Sequence, residues 1–180
     1  VTVVDSKAPV FTSVPKSITI ECSDPIPGLG FDVTAVDNCD QKVDVTFKDV
    51  TTPGNCENSY TISRTFTAID DCGNTSTAVQ TITVKDTKAP VIGAIPTDLT
   101  IECDEPVPAP ANVNASDNCD TNVSVTHNDI TTGNTCLKVV TRTYTAVDNC
   151  GNTSSKVQKI TLKNTKAPVA MLMAPLSGVP

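Results

Sequence analysis

The sequence predicts an all-β protein built from two copies of one module, and three observations carry that expectation. Apolar and polar residues alternate at period two wherever the sequence is regular, no segment shows a helical period, and one four-cysteine pattern occurs twice. Cys22, Cys39, Cys56 and Cys72 recur as Cys103, Cys119, Cys136 and Cys150, with their neighbours. Thr19-Ile20-Glu21-Cys22 matches Thr100-Ile101-Glu102-Cys103, Asp37-Asn38-Cys39-Asp40 matches Asp117-Asn118-Cys119-Asp120, and Cys72-Gly73-Asn74-Thr75-Ser76 matches Cys150-Gly151-Asn152-Thr153-Ser154. So literal a duplication describes a string of beads.

Each strand can be justified in turn. In Ser17–Cys22 the isoleucines and the cysteine share one face. Val43–Phe47 and Gln80–Val84 repeat the alternation, with Phe47 and its counterpart His127 expected inward. Tyr60–Ala68 reads as a longer strand with Tyr60, Ile62, Phe66 and Ala68 inward, and Val140, Tyr144 and Ala146 repeat it. The abundant Thr and Val favour strands, whereas Pro25-Ile26-Pro27-Gly28 and Pro106-Val107-Pro108 cannot supply a central ladder. Six or seven short strands at this spacing specify tandem immunoglobulin-like β-sandwiches, with two disulfides per module.

The tetrapeptide Lys-Ala-Pro-Val at residues 7–10, 88–91 and 166–169 marks the junctions, each introduced by a polar stretch from Asp5, Asp86 or Asn164. The expected divisions are repeat 1 at 1–86, repeat 2 at 87–165, and the start of a further module or linker at 166–180. On this reading the chain is a fragment of something longer. Proline at each junction fixes φ and favours a stiff crossing.

Modules of this size, with four Phe, two Tyr and no Trp between them, are close to the lower limit for a self-sufficient core. Crosslinks worth roughly 2–4 kcal/mol each are the usual remedy in an oxidising compartment. Zinc generally wants close Cys-x-x-Cys spacing, which is missing here, and the single histidine has no counterpart in the first copy. Sequence alone allows three pairings per module. In a sandwich the segments ending at Cys39 and Cys72 run the same way and end at one pole, while Cys22 and Cys56 belong at the other. The expected bonds are Cys22–Cys56, Cys39–Cys72, Cys103–Cys136 and Cys119–Cys150, with adjacent pairing, such as Cys22 with Cys39, left open.

A net charge of −7 argues against nucleic acid and anionic membrane as partners. There is no apolar run of transmembrane length and no signal-peptide pattern at Val1, so any export or anchoring signal would lie outside this fragment.

The stretch from Lys7-Ala8-Pro9 through Thr34-Ala35-Val36-Asp37-Asn38 to Thr67-Ala68-Ile69-Asp70-Asp71-Cys72-Gly73-Asn74 resembles the hyalin repeat (HYR) family, and the resemblance spans both modules. It is similar above all to the cysteine-bearing version repeated in giant secreted adhesins of gliding bacteria. The resemblance implies an immunoglobulin-like fold and a role in cell adhesion.

Two kinds of chemistry come into question, cation binding and catalysis. Asp86, Asp117, Asp120 and Asp148 gather at the pole of the second module, and Asp24 could close the group from across the junction. Asp5, Asp37, Asp40 and Asp70 are the equivalents in the first copy. Such hard oxygen ligands suit Ca²⁺, although Asp and Asn also make Asx-turns and caps. Catalysis finds no support: His127 sits on a strand, and the carboxylates lie in loops duplicated in both modules. Arg64 and Arg142 fall on inward faces, where pairing with a carboxylate is the simplest expectation.

The function expected is a structural spacer, the stalk or filament of an extracellular, cell-surface adhesin, bearing tension and projecting a binding tip. Its partners would be neighbouring repeats of the same chain, with a surface or glycan ligand elsewhere in the parent protein. The alternatives are a carbohydrate-binding accessory module of a secreted enzyme, for which an aromatic platform is missing, and homophilic adhesion.

Overall fold

The computed structural model describes residues 4–28, 33–135 and 137–167. Its first half holds β1 (Val10–Ser13), β2 (Ile18–Glu21), β3 (Thr34–Val36), β4 (Asp44–Pro53), β5 (Tyr60–Ile69) and β6 (Thr75–Lys85). The second half holds β7 (Val91–Ile92), β8 (Leu99–Glu102), β9 (Ala115–Ser116), β10 (Ser124–Gly133), β11 (Leu137–Val147) and β12 (Thr153–Lys163). No helix occurs among the described residues. The third expected segment, 166–180, falls almost wholly outside them.

Each half is an immunoglobulin-like sandwich of one small and one larger sheet. In the first, β1 pairs antiparallel with β3, opposite a sheet ordered β2-β6-β5-β4. In the second, β7 pairs with β9, opposite a sheet ordered β8-β12-β11-β10. The opening segment of each half is shared between both sheets, and the break contains Pro15 or Pro96, where a ladder cannot continue. Beyond the break β2 lies parallel to β6, from Ile18↔Ile82 to Glu21↔Lys85, and β8 lies parallel to β12 in the same way.

Alternation places the core as the sequence indicates. Ile62, Phe66 and Ala68 of β5 are buried, as are Val140, Tyr144 and Ala146 of β11. Ile62, Ile82 and Val84 pack with Ile18, Ile20 and Tyr60, and Val140, Ile160 and Leu162 pack with Ile101. Phe47 and His127 take the inward face as expected, each beside a buried ring, Phe66 or Tyr144, with centroids 6.5 and 6.4 Å apart, but both remain exposed to solvent. They lie on β4 and β10, the edge strands of the larger sheets.

A polar belt crosses each sandwich. Asp49, Arg64 and Gln80 are successive cross-strand partners on β4, β5 and β6, and Asp129, Arg142 and Gln158 repeat them. Arg64 donates through Nε and Nη2 to the two carboxylate oxygens of Asp49, both at 2.8 Å, and through Nη1 to the carbonyl of Pro27 at 2.6 Å. Arg142 binds Asp129 at 2.8 and 2.7 Å and the Pro108 carbonyl at 3.0 Å. The proline segments thus lie over the sheet, held by a guanidinium whose rigid fork matches a carboxylate. Hydrogen bonding to the arginine pulls the Asp49 and Asp129 carboxyls below the usual aspartate value.

Gly73 and Gly151 turn the chain at φ +86° and +89°, within the Cys-Gly-Asn segments. A Cβ on either would meet no neighbour, so the cost of replacing it is purely conformational. Gly151→Ala is expected to cost about 1–2 kcal/mol. That is a fall of several degrees in the thermal midpoint by calorimetry.

Candidate functional site at the joint between the modules

The chemistry of this chain concentrates where the first sandwich meets the second. Because β2 and β6 are parallel and β5 is antiparallel to β6, the ends of β2 and β6 and the β4–β5 hairpin share one pole. The N–H of Cys22 donates to the Lys85 carbonyl at 2.9 Å, fixing the cysteine beside the departing main chain. Cys56 sits in the hairpin, where its carbonyl accepts from the N–H of Ser59 at 3.1 Å.

The facing pole of the second module is made of two aspartate-led turns. Asp117 Oδ1 accepts the N–H groups of Cys119 and Asp120, at 2.9 and 3.1 Å. Asp148 Oδ1 accepts those of Cys150 and Asn152, at 2.9 and 2.8 Å. Asp120 Oδ2 accepts the N–H of Asn149 at 2.9 Å and ties the turns together. These are Asx-type turns that present two cysteine sulfurs toward the first module.

Cys22 is bonded to Cys119 and Cys56 to Cys150, with Cα separations of 5.9 and 5.1 Å. Both separations are ordinary for a disulfide. The expected pairings within a module are therefore corrected. The assignment of cysteines to poles stands, but the partners lie across the joint rather than beside each other. Cys22 closes β2 and Cys56 lies between β4 and β5, two to three strands away in the same sheet. At about 4.8 Å per strand that is roughly 10–14 Å, beyond the reach of a disulfide. Cys119–Cys150 cannot form because each is taken by the first module. Cys39, Cys72 and Cys103 carry free thiols, and Cys136, the expected partner of Cys103, lies outside the described residues.

Polar contacts missed by sequence reasoning surround the bridges. Asn118 Nδ2 donates to Ser23 Oγ at 3.2 Å, Asn58 Nδ2 to the Cys119 carbonyl at 2.8 Å, and Asn149 Nδ2 to Glu57 Oε2 at 3.3 Å. Thr87 of the linker donates to Glu21 through both its N–H and its hydroxyl. Asn118 belongs to a duplicated cysteine motif and Asn149 stands where the first copy has Asp71, but nothing in a single sequence tells an amide that closes its own turn from one that reaches across a joint.

Of the aspartates proposed as cation ligands, the structure gathers Asp86, Asp117 and Asp148, each offering an oxygen within 4.8 Å of the others. Glu21 and the Cys22–Cys119 bridge stand beside Asp86. Asp24 and Asp120 stay in turns, Asp24 Oδ2 accepting the Glu21 N–H at 3.2 Å and Asp120 Oδ1 that of Asn122 at 3.0 Å. In the first module Asp5 and Asp37 come together with Cys39, while Asp40 binds the Asp71 N–H and Asp70 holds Asn74. Burial raises the Asp86 pKa, and the neighbouring Asp117, Asp148 and Glu21 charges add to the shift. Three hard carboxylates are the donor type that Ca²⁺ takes, though it needs six to eight oxygens in all.

Fold and joint together define a tandem array of immunoglobulin-like sandwiches, crosslinked from bead to bead. Residues 10–84 match the family model described as an HYR-like domain with 4 cysteines. The second repeats all four cysteines in the same order. Solved structures of similar architecture include Drosophila N-cadherin EC1-4, at 13% identity and a TM-score of 0.40, covering 88% of this chain and 50% of that one. Human Protocadherin-24 EC1-2 matches at 15% identity and 0.37, covering 88% and 100%, and human CDH23 EC21-23 at 16% and 0.38, covering 88% and 70%. This chain thus spans half the length of the N-cadherin chain it matches. No curated protein matches it by sequence. Among the described residues no helix is long and apolar enough to cross a membrane, which says nothing of a β-barrel.

Proposed function

We propose that this chain is a load-bearing spacer of an extracellular cell-surface adhesion protein. The observation that carries this reading is the joint itself: two disulfides run beside the main chain from one sandwich to the next. A spacer that must hold a binding tip away from a surface needs joints that neither twist freely nor run out under load, and covalent bonds parallel to the backbone supply both. The match of residues 10–84 to an HYR-like domain and the repetition of the module support this role. The finer reading, a stalk of the kind found in gliding bacteria, rests on the resemblance of the cysteine-bearing repeat.

Force spectroscopy of the chain held by its termini tests the mechanical claim. The Cys22–Cys119 bond shortcuts 97 residues. Reduction should therefore release roughly 320–350 Å of additional contour length. Equal extension before and after reduction would sink the load-bearing reading.

We further propose that Ca²⁺ neutralises the cluster of Asp86, Asp117 and Asp148, with the repeat-1 residues Asp5 and Asp37 as a weaker equivalent. Bound there, the ion would supply positive charge between carboxylates that otherwise repel. The expected result is a thermal midpoint that falls by a few degrees when calcium is exchanged for chelator, with the difference abolished in Asp117→Asn. Identical melting curves in both buffers would remove the ion from the account and leave the spacer intact.

A further inference from the structure

The pole of the first module that faces away from the joint is a copy of the pole that is bridged. At the joint, Cys119 N–H bonds Asp117 Oδ1 at 2.9 Å, and at the free pole Cys39 N–H bonds Asp37 Oδ1 at 2.8 Å. Asn118 Nδ2 lies 2.7 Å from Cys119 Sγ, and Asn38 Nδ2 lies 2.8 Å from Cys39 Sγ. The Asn149 N–H is held by Asp120, and the Asp71 N–H by Asp40. Asn152 Nδ2 reaches the Asp86 carbonyl at 3.3 Å, and Asn74 Nδ2 reaches the Asp5 carbonyl at 3.4 Å. The same backbone frame therefore presents Cys39 and Cys72 as presents Cys119 and Cys150. The difference is that Cys39 and Cys72 are exposed, free thiols.

The opposite pole repeats as well. In the second module Glu105 Oε2 accepts the Glu102 N–H at 3.3 Å where Asp24 accepts that of Glu21, and Thr165 clamps Glu102 as Thr87 clamps Glu21. Cys103 follows that turn as an exposed thiol, as Cys22 follows the other. The molecule thus displays a finished joint in the middle and its two unmatched halves at the ends.

We infer that the Cys39/Cys72 pole is a docking surface for the far pole of another module of this kind, sealed by two disulfides in the register seen at the joint. Cys39 takes the cysteine equivalent to Cys22, and Cys72 the one equivalent to Cys56. Every cysteine of a module then bonds to a neighbouring module and none within its own. One side chain makes the surface selective: Asp71 stands where Asn149 donates to Glu57. A carboxylate there repels a partner with glutamate after its hairpin cysteine, and the second module has Leu137 at that place in sequence. In forming each bond two thiols lose two protons and two electrons to a disulfide such as oxidised glutathione, which leaves as two thiols. The inference rests on the geometry of the poles and not on the adhesive role.

The two-module chain, concentrated to the millimolar range in a glutathione redox buffer, provides the test. Peptide mapping by mass spectrometry should find Cys22–Cys119 and Cys56–Cys150 within each copy, and Cys39 bonded to Cys103 and Cys72 to Cys136 between copies, as disulfide-linked dimers and longer species. The double variant Cys39→Ser, Cys72→Ser should stay folded by circular dichroism and remain monomeric. A Cys39–Cys72 bond within one module, Cys39–Cys39 links between copies, or a monomer with its thiols still reduced would each overturn the inference.

Discussion

Replacing Cys22 and Cys56 together with serine will leave two folded sandwiches that are no longer covalently coupled beyond the main chain. Each sandwich keeps its own buried cluster, around Ile82 in the first and Ile160 in the second, and neither cluster draws on the other module. What is lost is the pair of closures over sequence separations of 97 and 94 residues. In the chain-entropy picture a single closure of that length is worth about 4–5 kcal/mol, and the second adds less because it overlaps the first. The expected calorimetric result is the loss of one cooperative transition, replaced by two that separate and fall by ten degrees or more. Small-angle scattering should show a broader distribution of dimensions. A single unshifted transition would mean that the polar contacts of the joint, rather than its bridges, couple the modules.

Asp129→Ala will destabilise the second module by about 2–4 kcal/mol, somewhat below the range for a wholly buried pair because the aspartate keeps contact with water. Arg142 is 3% exposed, and without its partner a guanidinium stays buried with one carbonyl and no counter-charge. Arg142→Met, which removes the charge and keeps an apolar stem, should cost less than Asp129→Ala. The reverse order would show that the proline-segment contact matters more than the ion pair. The same pairs set a pH dependence. The folded-state pKa values of Asp49 and Asp129 lie below those of the unfolded chain. Their contribution is complete above the ordinary aspartate pKa near 4 and is lost as pH falls through the lower folded values. Denaturation midpoints measured from pH 5 to pH 2 should drop over that interval and flatten when both aspartates are replaced by asparagine.

The sheets were legible because period two survives in nearly every strand: Ile62, Phe66 and Ala68 announce the inward face of β5 without help from their neighbours. The polar belt was half legible. Arg64 and Arg142 stood out on an apolar face, but naming Asp49 and Asp129 requires the register of the adjacent strand, which a sequence does not carry. The poles of the cysteines were readable from strand direction, whereas their partners were not. Pairing depends on how far apart two strand ends lie within a sheet, and on which pole of the next module is brought against them. Asp86, Asp117 and Asp148 could be grouped because strand ends and linker converge, while Asp24 and Asp120 are claimed by local turns that compete with any shared site.

The order of strands in the first large sheet has a directional consequence. Cys22 at the end of β2, Lys85 at the end of β6 and Cys56 in the β4–β5 hairpin follow one another across one end of a single sheet. The three covalent crossings therefore lie nearly in a row, like the pins of a piano hinge, with only the sheet's own twist turning them out of line. A row of pins forbids torsion and forbids bending within the plane of the row, yet permits swing across it. An array of such modules would behave as a ribbon rather than a rod, unyielding edge-on and compliant face-on.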